Sequence, residues 1–292
     1  MPTIASEIQR YLQTGDTDSK STAWPSPSFI ERACQSHADL RTALVAEVRR
    51  RTSQYSPLAD IDDDAARALV IAKVEPMVRG LFATNEQELV LSAVAQRVIF
   101  LTASRIDSAL TTARWHRNAW NLANLYLASL GAEPLADGHD HILGMATDQA
   151  CYVTAAYLQL PHEHDDYVVH EVAHSFHDCY ARDLGLLQSE RRKYPLDIYY
   201  AHRETFAYSC EFYACISRSA VTRKERLALI DHLAADWTGG EGQACEPDLV
   251  VDILRRAVRA RNGWRVILAR CKSDYAARTP QVHKGLAQSQ MT

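Results

Sequence analysis

The chain has 292 residues, 47% of them hydrophobic and 23% charged, with a formal net charge of −4 and a pI near 6.3. These are globular values, with enough chain for one large domain or two smaller ones. They argue against nucleic acid as the main partner, because the basic runs Arg49-Arg50-Arg51 and Arg191-Arg192-Lys193 are too short to outweigh a solvated surface.

From the N-terminus, residues 4–12 read as a short helix, followed by a linker through Trp24-Pro25-Ser26-Pro27-Ser28. Apolar periodicity predicts helices over 28–52, 62–82, 85–102 and 106–130, with Pro76 expected to kink or split the second. The acids Asp60, Asp62, Asp63 and Asp64 lack the order and the glycine of a calcium loop, and read as a helix cap region. Residues 149–160 are β-branched and aromatic and predict a strand that ends at Pro161. A helix over 165–184 follows, with acids in its first turn and Gly185 as its stop. Another spans 197–214. Further helices are expected over 219–237 and 246–260, split by the loop Thr238-Gly239-Gly240-Glu241-Gly242. The tail from Arg278 is expected to be loose.

The seven cysteines are scattered, odd in number and without a CxxC pair, which fits reduced thiols better than disulfides or a structural zinc knuckle. No apolar run reaches membrane-span length and no signal-peptide core opens the chain. The expectation is a cytoplasmic protein, or one exported without a cleaved signal.

Within the 165–184 helix lies His170-Glu171-Val172-Ala173-His174, an HExxH motif. Residues four apart share a helix face about 6 Å apart along the axis, so both imidazoles can reach one ion. The intervening Glu171 can handle a water proton without binding the metal. A catalytic zinc takes three protein ligands and keeps a fourth position open. The metzincin extension HExxHxxGxxH fails, with His177 at the glycine position and Tyr180 at the last histidine position. His177 shares the face of His170 but lies about 10 Å along the axis, too far to share its ion. In the loops, His162 and His164, like His139 and His141, read as loop residues rather than a second metal site.

The segment Glu204-Thr205-Phe206-Ala207, on the next helix, resembles the ligand helix of the gluzincins, the thermolysin-like zinc peptidases, in their anthrax lethal factor branch. The resemblance covers the two helices, about an eighth of the chain. It implies that Glu204 is the third zinc ligand. The position four residues on, an Asp in thermolysin-like enzymes, is Tyr208 here. Glu211 shares the helix face of Glu204, so it is either a supporting carboxylate or a rival ligand. The resemblance also places an edge strand beside the cleft, to which an extended peptide adds by backbone pairing.

The chemistry expected of such a site is peptide hydrolysis by water activated on Zn²⁺, held by His170, His174 and Glu204, with Glu171 as general base. Tyr200, one turn before Glu204, is the candidate for stabilising the oxyanion; His202 and Tyr208 flank the same ligand. Asp178 and Glu211 are candidates for the outer partners of the imidazoles. The fold class expected is α+β, mainly α. It comprises an N-terminal segment (1–28), a helical region (29–130), a zincin-like catalytic domain with a small sheet beside the active helix (131–277) and a tail (278–292). The substrate would be a peptide or protein. The alternatives are an inactive zincin-like module that binds a partner protein, and a zinc hydrolase acting on a non-peptide amide. Oligomeric state is open.

Overall fold

The computed structural model describes residues 2–136, 143–159, 165–190, 192–240 and 244–272. The predicted tail and the loop histidines His139, His141, His162 and His164 lie outside them. The chain is mainly helical, with a small three-stranded sheet. It forms two compact units, residues 1–75 with 89–162, and 76–88 with 163–292.

In the first unit, Thr3 caps α1 (Ile4–Thr14) and Ser28 caps α2 (Phe29–Thr52). Asp62 accepts from the Ala65 N–H at 2.8 Å where α3 (Asp63–Leu81) begins, the capping role its acid cluster predicts. Pro76 does not split α3: Val74, Met77 and Val78 beside it are fully buried, which offsets the lost backbone hydrogen bond.

Two predicted helices are corrected here. Residues 85–102 form α4 (Thr84–Arg97) and then β1 (Val98–Leu101). The run Val-Ile-Phe-Leu suits a buried strand and pairs in parallel with β3, from Val98↔Cys151 to Leu101↔Thr154. Residues 106–130 form α5 (Ile106–Thr112) and α6 (His116–Ser129). The break has a visible cause. The buried Arg41 guanidinium donates to the carbonyls of Leu110 and Ala113 at 2.9 and 2.8 Å, satisfying groups that a continuous helix would pair internally. Hydroxyls of Thr111 and Thr112 bond back to Asp107 and Ser108 in the same turn.

The strand expected over 149–160 is shorter, β3 (Cys151–Thr154), and runs on as a 3₁₀ turn, Ala155–Gln159. It is the central strand, between β1 and the antiparallel β2 (Gly144–Ala146), not the edge strand the resemblance implied. The sheet belongs to the first unit, so the boundary drawn at residue 130 falls inside that unit. Tyr11, Trp24, Leu40, Leu44, Leu110 and Trp120 lie at the centre of its core.

The second unit is helical. Its elements are α7 (Tyr167–Asp178), 3₁₀ turns at Ala181–Leu184 and Tyr200–His202, α8 (Arg203–Ser219), α9 (Arg223–Asp236), α10 (Pro247–Arg259) and α11 (Gly263–Cys271). The sequence did not predict α11. Helix α7 packs on α8, which also packs on α9, α10 and α11. The α7 helix stops six residues short of expectation, because the Phe176 carbonyl accepts from the Leu196 N–H at 2.8 Å and leaves the helical ladder. Helix α8 starts later than expected: the Tyr199 N–H donates to the Cys271 carbonyl of α11, holding residues before Tyr200 out of the helix.

Candidate metal centre

The N-terminus of α7 is built around a buried carboxylate. Asp166 caps the helix by accepting from the Val169 N–H at 3.4 Å, and it is ion-paired with Arg218 near the end of α8. Its own backbone N–H donates to Glu211 Oε1 at 2.7 Å. The two helices are thereby tied at one end, and the HExxH residues, one turn further along, face α8.

Three donor atoms converge there. His170 Nε2 and His174 Nε2 are 3.1 Å apart, and Glu204 Oε2 lies 3.7 and 3.5 Å from them. A tetrahedral zinc with ligands about 2.0–2.2 Å away sets its ligand atoms about 3.3 Å apart, so these edges enclose a point of that size. Glu211 does not face this point. Its Oε2 accepts from His170 Nδ1 at 2.9 Å, which leaves the Nε2 lone pair turned toward His174 and Glu204.

The electrostatics favour a cation. Burial pushes His170 down, but the Glu204 and Glu211 carboxylates outweigh it and raise the group to about 10 in the metal-free chain. For Glu204, burial is opposed by both imidazoles, and its carboxyl is held well below the usual range. Glu171 is buried in the same cluster; desolvation raises it, only partly offset by His170 and His174. A carboxylate so raised accepts a proton more readily at neutral pH. Both imidazole side chains are 11% exposed and the Glu204 side chain 40%, so the cluster opens to solvent on the Glu204 side. The donor set and charge therefore fit a zinc-like ion.

Other sequence candidates fall in different places. Tyr200 is 78% exposed on its 3₁₀ turn, off the Glu204 helix, with its ring under the Arg203 guanidinium at 4.9 Å. His202 packs edge-on against Tyr199, and burial lowers its pKa. Tyr208 packs edge-on against His170, ring centroids 4.6 Å apart. Gly240 closes over Tyr208: at φ 79° it sits where a Cβ would come 2.3 Å from the phenol oxygen. Trp237 and Phe212 continue this aromatic wall into an apolar pocket of about 260 Å³ between α8 and α9, with Asp165 and Asp236 among its lining residues. Asp178 pairs with Arg203 at 2.8 Å.

Sequence reasoning missed Arg218, which holds the cap, and Tyr167. Burial, aided by Asp165, Glu211, Tyr208 and Glu171, raises Tyr167 and keeps it a neutral donor. The one available signal was its spacing, four residues before Glu171 on the same helix face. Among the described residues no helix is long and apolar enough to cross a membrane. No protein-family model matches the chain, and neither a curated protein nor a solved structure matches it.

Proposed function

We propose that the chain is a zinc-dependent peptidase of gluzincin type. The reading rests on one observation: His170, His174 and Glu204 converge on a point sized for a cation, with Glu171 buried beside them. A zinc ion held by these three would act as a Lewis acid, lowering the pKa of water and polarising a carbonyl. Glu171 takes the water proton and returns it to the leaving amine, a task its raised pKa suits. Glu211 holds His170 in the tautomer that offers Nε2, and is itself fixed by the Asp166 N–H. Oxyanion stabilisation falls to a phenol; Tyr200 is the solvent-facing candidate, and Tyr167 and Tyr208 are the half-buried ones.

The test is Glu171→Gln, assayed with a quenched peptide library and for metal content. The expected variant keeps its zinc and loses about 10²–10⁴-fold in turnover. Activity that survives the change would remove Glu171 from the mechanism. A wild-type chain with full zinc and no turnover on any peptide or amide would favour a binding module instead.

A further inference from the structure

We propose a second, weaker divalent-cation site on the same face of α7, formed by His174, His177 and Asp178. One nitrogen of each histidine and one Asp178 oxygen all lie within 4.8 Å of one another. Their spacing of three and four residues sets them on one helix face.

His177 is the informative member. It is 2% exposed, and neither ring nitrogen makes a hydrogen bond. Its Nδ1 lies 3.2 Å from Asp178 Oδ1 without hydrogen-bond geometry. Buried polar groups nearly always find a partner, so a sealed imidazole whose Nε2 has none, and whose Nδ1 has only the Asp178 carboxylate beside it, points to a ligand. The Asp178 side chain is 32% exposed and steadied by Arg203, so a carboxylate stands at the solvent end of the buried pair. Two imidazoles and a carboxylate are the donor class of the first centre, and suit zinc and its neighbours.

Two features make this site the weaker. The Arg203 charge opposes a cation until its contact with Asp178 loosens. His174 belongs to both triads. With one nitrogen on the first ion it joins a second only by losing its remaining ring proton, so when both sites are filled the weaker ion is held by His177 and Asp178 with water. This site does not rest on the peptidase reading.

Equilibrium dialysis of the chelator-stripped full chain against zinc tests this. Two classes of site are expected, the second about 10-fold or more weaker. Asp178→Asn and His177→Gln, made separately, should each abolish the weaker class and spare the tighter one, while Glu204→Ala does the reverse. Asp178→Asn changes a partly exposed carboxylate, which keeps the test valid if the buried histidine variant misfolds. A wild type that binds one equivalent, or a weak class that survives both substitutions, overturns the proposal. A weak class that depends on His177, found with no tight class, would instead sink the peptidase reading and leave this one standing.

Discussion

A carboxylate that faces imidazole lone pairs does different work from one that faces a ring N–H. Glu204 and Glu211 lie seven residues apart on α8, and their identities and spacing leave either able to be the ligand. Contacts separate them: Glu204 Oε2 faces both Nε2 atoms, whereas Glu211 accepts from His170 Nδ1 and the Asp166 N–H. Such a partition is set by where α7 begins relative to α8, which spacing along one helix cannot express. Glu204→Ala is expected to abolish the tight class of zinc binding, leaving two ligands for that ion. Glu211→Gln is expected to weaken zinc by about 10–100-fold while retaining it, since only the orientation and basicity of His170 change. Zinc titration against a competing chelator distinguishes them; retention by the Glu204 variant with loss in the Glu211 variant would exchange their roles. The HExxH residues were legible because their geometry is local to one helix. Asp166, Arg218 and Tyr167 were not, because their roles depend on what is packed across from them.

At the scale of elements, helices with a single apolar stripe and a side-chain cap, α1 and α2, were readable from periodicity. Errors fall where a distant residue competes for the backbone. The parallel pairing of β1 with β3 joins residues more than fifty apart, and the sequence near Val98 carries no sign of the partner. The gap between α5 and α6 depends on Arg41, which lies 3% exposed and lends two N–H groups to carbonyls of Leu110 and Ala113. Arg41→Met keeps most of the apolar stem but strands both acceptors. Each lost charge-assisted bond costs about 1.5–3 kcal/mol, so the variant should be destabilised by about 3 kcal/mol or more. Urea unfolding reads this directly; a midpoint within error of wild type would show that the break has another cause.

For the whole molecule, each compact unit holds its own conditional source of stability. In the second, zinc at about 100 times its dissociation constant should add about 2.7 kcal/mol, read as protection of α7 and α8 in hydrogen exchange and lost in His170→Ala. In the first, the control is pH. His116, at the start of α6, packs against Tyr11 and His37. Burial, with the charges of Arg41 and His37, lowers it from 6.5 to about 4. Between those values the unfolded chain binds the proton and the folded unit does not. Stability from this group is therefore full above pH 6.5 and lost as pH falls toward 4. His37 is lowered too, chiefly by burial, and acts in the same direction. The carboxylates Glu47 and Asp18, both lowered to about 2, contribute fully above the usual carboxylate range and lose that contribution only as pH falls through it toward 2, so they leave the window between 6.5 and 5 to the histidines. Hydrogen exchange of α1, α2 and α6 should accelerate as pH drops through that window, after correction for the intrinsic pH dependence of exchange. In His116→Phe, which keeps the aromatic contact and removes the titrating group, the acceleration should be smaller. An identical pH response in the variant would show that the acid sensitivity of this unit comes from elsewhere.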